Sequence, residues 1–143
     1  MRAAPGHYVA GEATALARWV GGGEARPVWG VRPAERGVRG RPTLVHNAET
    51  AAHVALIARH GADWFRAMGT AAEPGSMLVT VVGDVADPGV LEVAVGSPVS
   101  AVLDRAGADP SSQAVLFGGH GGQWVGFASA REVRLSNESL GRH

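Results

Sequence analysis

Apolar positions first recur at a helical spacing in "EATALARWV", Glu12 to Val20, where Leu16, Trp19 and Val20 share one side. Glu12 stands where a carboxylate favours the positive end of a helix dipole, and Gly21-Gly22-Gly23 ends the run. Periodicity then lapses over residues 21–42, which are rich in Gly, Pro and Arg. This predicts a loop of about twenty residues, and loops that long in compact domains are functional or disordered. A short apolar run, Thr43-Leu44-Val45, stops at His46-Asn47 and passes straight into helix-forming sequence. Asn47 predicts an N-cap, Glu49 a first-turn acid and Gly61 the residue just past the helix end, with Val54, Ile57 and Ala58 on one apolar face. "DWFRAMG" predicts a second helical piece with Trp64, Phe65 and Met68 turned inward, and residues 70–76 a linker.

After residue 76 the pattern becomes one of strands. Met77 to Val82 and Val90 to Val95 flank a turn built on Asp87-Pro88-Gly89, a hairpin signal. "GSPVSAVLDRAG" predicts a short helix with Ser97 at the N-cap, Pro98 at the first position and Gly107 closing it. "SQAVLFGG" predicts a third strand running into Gly118-Gly119-His120-Gly121-Gly122, whose expected role is a flexible hairpin tip. The tail from Arg131 predicts a short strand and a helix start at Ser136. Hairpin, helix, strand, Gly-rich loop is the element order of a small β-grasp-like α+β unit. No internal repeat is visible.

Composition narrows the classes. The 143 residues suit one domain, or a piece of one with a small neighbour. A hydrophobic fraction of 45% agrees with a globular class, though much of it is alanine, so the expected core is thin. Thirteen basic residues, all Arg, balance 13 acidic ones, and nothing global pulls the chain toward nucleic acid or an anionic membrane. Without cysteine the chain itself makes no disulfide, thiolate nucleophile or Cys-ligated cluster. The N-terminal stretch lacks the apolar run of a signal peptide, and no segment reaches the roughly 20 apolar residues of a membrane span. A cytoplasmic protein without membrane insertion is the expectation.

Three constellations bear on chemistry. His46, His53 and His60 fall seven apart, but seven residues of helix rise about 10 Å, so His53 and His60 cannot share one ion. Arg26, Arg32, Arg36, Arg39 and Arg41 crowd the loop with only Glu24 and Glu35 nearby. Guanidinium forks bind phosphate, so a nucleotide or flavin phosphate is one reading and a solvated loop the other. Neither phosphate-binding glycine fingerprint is present, and no nucleophile elbow is readable.

Four stretches in fixed order carry a resemblance: "YVAGEATAL" (8–16), "GRPTLVHNAETAAHV" (40–54), "GADWFRAMG" (61–69) and "VVGDVADPGVLEV" (81–93). Together they resemble the flavoprotein, NADH-binding 51 kDa subunit of respiratory complex I and its soluble bacterial relatives. The resemblance implies an α+β chain: the C-terminal portion of an FMN-binding α/β domain over 1–72, then a soluble-ligand-binding β-grasp (SLBB) domain over 73–143. It implies FMN contacts from Tyr8, Gly11, Glu12, Thr14, Val45, His46 and Asn47, and no catalytic or metal-ligating residue. The helix after Asn47 would present free N–H groups to the flavin.

Departures accompany the likeness. Ala13 stands where the family has a second Glu, His46 where Asn is usual and Ala48 where Val is usual. In the family a Gly-rich loop cradling FMN and NADH precedes this stretch and a Cys-ligated [4Fe–4S] domain follows it, so the chain resembles an internal portion or a degenerate relative. The implied activity is hydride transfer from NADH to FMN, with electrons passed to iron–sulfur clusters and a quinone-type chain, this chain alone being inactive. The implied partners are other NADH dehydrogenase subunits at the inner face of the membrane. The alternative is a non-enzymatic ligand- or partner-binding β-grasp module.

Overall fold

The computed structural model describes residues 3–141. The chain packs as two units, one running to Ala51 and the other from Ala52.

In the first unit a 3-10 turn over Tyr8–Gly11 leads into α1, Ala13–Val20. Glu12 lies one position outside the helix rather than in its first turn: its carboxylate accepts from the N–H groups of Thr14 at 2.9 Å and Ala15 at 3.1 Å. That satisfies two of the donors a helix start leaves open. The long loop is ordered in its second half. Pro33 opens α2, Pro33–Arg36, and a second 3-10 turn covers Val38–Gly40. Thr43 stitches these together: its N–H donates to the Pro33 carbonyl at 2.8 Å and its hydroxyl accepts from the Val38 N–H at 2.9 Å. The Gly37 N–H closes the ring onto the Arg41 carbonyl at 2.8 Å, and a Cβ at Gly37 would collide with Thr43. No strand occurs among the described residues of this unit, and its buried residues are alanines: 10, 15, 17 and 25.

α3 spans Ala48–His60 and α4 Ala62–Arg66. Gly61, at φ 89°, ends α3 as expected, with its N–H on the Ile57 carbonyl at 2.8 Å. The expected inward face is corrected: Val54 is 61% exposed and no α3 residue is buried. Trp64 and Met68 are exposed too, and only Phe65 of that trio turns inward, against His53 and Gly75. Inward orientation needs a partner surface, and Trp64 meets the His60 ring of the neighbouring helix at 5.0 Å while staying 45% exposed.

The second unit holds two separate antiparallel pairs. β1, Ser76–Val81, pairs with β2, Gly89–Ala94, in the register Met77↔Val93 and Val79↔Leu91. β3, Ala114–Phe117, pairs with β4, Gln123–Gly126, so the Gly-rich run is a hairpin tip. Between them lies α5, Val99–Arg105, which starts one residue later than expected: Pro98, not Ser97, is the N-cap. Its end is as expected. Gly107 takes φ 64°, its N–H meets the Asp104 carbonyl and the Ala108 N–H meets the Leu103 carbonyl, a paired closure that needs a left-handed residue.

α6, Phe127–Glu132, has no counterpart among the expected elements, and α7, Asn137–Leu140, starts at Ser136 as expected. Residues 133–135 lie extended beside 96–99 through three backbone hydrogen bonds, all that exists of the expected tail strand. Val99, Val102, Leu103, Val133 and Leu135 form the core, with Met77, Val79, Leu91 and Val93 of the first hairpin packed on it. Glu73 reaches across to α7, accepting from the Asn137 and Glu138 N–H groups at 3.0 and 3.2 Å. Those N–H groups hold its carboxyl below the usual glutamate range. The expected α+β class is what the chain adopts.

Candidate functional site

All seven residues expected at a flavin fall in the first unit. They form two short groups. The 3-10 turn carries Tyr8 and Gly11; the Tyr8 side chain is 99% exposed, and a Cβ at Gly6 or Gly11 would meet nothing within 4 Å. Small residues leave this backbone open to a flat ligand. The Glu12 carboxylate is committed locally, to the Thr14 hydroxyl and N–H and to the Ala15 N–H, and these bonds pull its pKa below the usual range. Thr14 also accepts from the Val28 N–H at 2.8 Å, fixing the first half of the loop on α1.

The second group is Val45, half-buried, with His46 and Asn47 exposed. Asn47 is a cap as expected: its Oδ1 accepts from the Thr50 N–H at 2.7 Å. One of the N–H groups at the start of α3 is therefore taken by the chain itself. Among the described residues no hydrogen bond joins the two groups directly; they are linked through the loop, by Thr14 to Val28 on one side and Thr43 to Pro33 and Val38 on the other.

Beside Thr14 lies an open cleft of about 330 Å³. Its walls are Ala17 and Gly21 of α1 and its end, Val28, Val31, Gly37 and Gly40. Arg18, Arg36 and Arg39 line it as well. Arg36 and Arg39 belong to the cluster singled out in the sequence; Arg18 was missed, because in one dimension it is a polar residue in the last turn of a separate helix. Its spacing from the glycines at 21 and 23 is the only local signal. In the second unit a hollow of about 480 Å³ has an apolar floor of Phe117, Val125, Val133 and Leu140 under the glycine tip. Among the described residues no charged side chain lines it. Among the described residues no group of three metal-ligating side chains converges, and no helix is long and apolar enough to cross a membrane.

An SLBB domain model matches residues 78–114, the stretch from β1 through α5 to the start of β3. The alpha subunit of the NAD-reducing hydrogenase HoxS of Cupriavidus necator is 40% identical over 136 residues, covering 94% of this chain and 22% of the relative. The NADH-quinone oxidoreductase F subunit of Mycobacterium bovis is 37% identical over 99% of this chain and 32% of its own length. The NADP-reducing hydrogenase subunit HndC of Solidesulfovibrio fructosivorans is 35% identical over 94% of this chain. The crystal structure of an NAD+-reducing [NiFe]-hydrogenase in the H2-reduced state superposes with a TM-score of 0.84 at 36% identity, covering 96% of this chain and 24% of that one. The chain thus spans between about a fifth and a third of the length of these relatives.

Proposed function

The chain belongs to the family of NADH-quinone oxidoreductase F subunits and NAD(P)-reducing hydrogenase subunits, and on that premise we propose that it supplies one wall of an FMN site in an NADH-oxidising flavoprotein. Likeness over nearly its whole length, in sequence and in structure, is the observation that carries this. We assign the flavin wall to Tyr8, Gly11, Glu12, Thr14, Val45, His46 and Asn47, and the domain division to 1–72 and 73–143.

The residues present fit a wall and not an enclosure. Tyr8 offers an exposed ring and hydroxyl beside backbone that glycine leaves bare, and Glu12 offers a negative charge held by three hydrogen bonds. FMN, when bound, supplies the acceptor for hydride from NADH. Tyr8 would lie against the ring and exclude water from one side. Glu12 and Asn47, each fixed by capping its own helix, would set the position of the backbone on either side of the ligand. Electrons would leave through clusters held elsewhere, since this chain has no cysteine. Other subunits of such a complex are its partners in this proposal, and its place is the cytoplasmic side, peripheral to the membrane.

The test combines flavin binding with NADH:ferricyanide reduction by the purified 143-residue chain given FMN. Hydride transfer requires the two rings at near-attack distance, roughly 3–3.5 Å, which one wall cannot enforce. The expected result is weak flavin fluorescence quenching that falls on Tyr8→Ala, with turnover at background. Quenching indifferent to Tyr8→Ala would sink the flavin wall. Turnover abolished by Asn47→Ala would mean a complete site and overturn the single-wall proposal.

One observation favours a second proposal, a non-enzymatic ligand-binding module: the second unit has its own aliphatic core and an apolar hollow. In that case flavin would leave the Tyr8 environment undisturbed.

A further inference from the structure

The cleft beside Thr14 is electrically unbalanced. From Arg18 to Arg41 the chain carries six arginines, at 18, 26, 32, 36, 39 and 41, against two carboxylates, Glu24 and Glu35. Both carboxylates are engaged outside the cleft. Glu24 pairs with Arg26 at 3.4 Å and Glu35 with Arg32 at 3.5 Å, and neither arginine lines the cleft. Arg18, Arg36 and Arg39, which do line it, form no ion pair among the described residues. They come from three different elements: the last turn of α1, the end of α2 and the second 3-10 turn. Gathering like charges around one small space is unfavourable until an anion enters.

The backbone around them is ordered in advance. The ring closed by Thr43, Gly37 and Arg41 fixes residues 33–43 by their own hydrogen bonds. Arg39 is held there at φ 52°, the only non-glycine at positive φ among the described residues. Strain of that kind persists where surrounding structure over-determines it, and it gathers at ligand sites. Gly40 leaves its part of the wall bare, because a Cβ there would meet nothing within 4 Å. At Gly23 a Cβ would stand 2.9 Å from the Arg18 Cγ, so glycine is what lets that side chain lie across the turn. At about 330 Å³ the cleft is at the lower end of small-ligand sites.

We propose that this cleft binds a phosphoryl group, either inorganic pyrophosphate or the phosphates of a nucleotide, through the guanidinium groups of Arg18, Arg36 and Arg39. A multiply charged phosphate oxyanion is the chemistry shared by both sources, and guanidinium forks match it with paired, charge-assisted hydrogen bonds. The site does not depend on a flavin. It needs only the three arginines and the stitched loop.

The experiment titrates inorganic pyrophosphate into the isotopically labelled full chain at constant ionic strength, following amide resonances. Saturable shifts at Gly21, Gly37 and Gly40 are expected, with a dissociation constant below about 1 mM. Arg36→Gln and Arg39→Gly should each weaken binding about tenfold, the loss of one charge-assisted contact. Arg39→Gly suits the left-handed backbone at that position, and an amide spectrum of the free variant that matches the wild type shows that its loss of binding is not unfolding. Arg26→Gln removes the same unit of charge outside the cleft and should change affinity less than about twofold, as an exposed pair does. ADP run in parallel separates the sources: equal affinity identifies the phosphate alone, and tighter binding identifies a nucleotide. Asn47→Ala should leave pyrophosphate binding intact, which keeps this outcome separate from that of the flavin wall. Shifts that never saturate, or an Arg26→Gln loss as large as that of Arg39→Gly, would overturn the proposal, because diffuse attraction would then explain everything.

Discussion

The two units are built on different interiors. The first buries only alanines among its described residues, while the second buries Val99, Val102, Leu103, Val133 and Leu135. A fully buried Val or Leu contributes about 1.5–3 kcal/mol, whereas an alanine brings one methyl and roughly a third of that. Local hydrogen bonds carry the first unit instead: Glu12 on α1, Thr14 on Val28, Thr43 on the loop. A unit organised by polar stitching keeps its surface open for ligands; one organised by side-chain packing keeps its shape. Both proposed sites for charged or flat ligands fall in the first kind.

The largest break in that contrast is Leu103→Ala. Removing this buried side chain should destabilise the second unit by about 2–5 kcal/mol, read as a lower urea midpoint for its transition. A change below about 1 kcal/mol would mean that the packed interior is not what holds this unit together. Next is limited proteolysis with a protease of broad specificity. Cuts should appear first over residues 22–31, around the fully exposed Trp29, at a rate at least about tenfold above cuts in β1 or α5, since local opening sets the rate. Residues 33–43 should outlast 22–31 because Thr43 and Gly37 tie them to one another at three points, whereas 22–31 is held to α1 chiefly at its two ends, at the Gly22 and Gly23 turn and at Val28. Equal survival of the two stretches would remove the stitching from the account.

The smallest effect sharpens the contrast by pH. Glu12 has its pKa lowered, chiefly by the Thr14 hydroxyl and then by the Thr14 N–H. A carboxyl depressed in the folded state stabilises it above the unfolded pKa, about 4.3, and that contribution fades as pH falls through the lower folded value. Helical signal from α1 should therefore fray as the pH falls below the usual glutamate range, and Glu12→Gln should remove the acid-dependent step while leaving helix content at neutral pH slightly reduced. An unchanged acid transition in Glu12→Gln would detach the cap from the effect.

Caps are the legible part of the sequence. Asn47, Gly61, Gly107 and Ser136 act where expected because each answers to backbone groups within a few residues of itself. α5 starts one position later than its sequence suggests: Ser97 and Pro98 both suit a helix start, and the choice rests on hydrogen bonds from 96–99 to 133–135, nearly forty residues away. α6 is invisible in the sequence because "FASARE" has no marked stripe; it is held by Ala130 in the core and by the Arg131–Asp104 pair. Trp64 and Met68 are exposed against expectation because apolarity records a preference, not the presence of a partner. The flavin-side residues come from likeness to a family, whereas the arginine cleft needs coordinates, since Arg18 meets Arg36 and Arg39 only once the loop has folded back on α1.

Glu73 gives the second unit an order in time. Its carboxylate receives the N–H groups of residues 64 and 65 positions further along the chain. A ribosome adds about 5–20 residues per second, so roughly 3–13 s separate the emergence of this acceptor from that of its donors. Until then β1 and β2 can pair, as neighbours do, but α7 and the extended segment that seals α5 do not yet exist. The first hairpin must wait with its apolar side uncovered, and the Glu73 clasp marks the moment when the waiting ends.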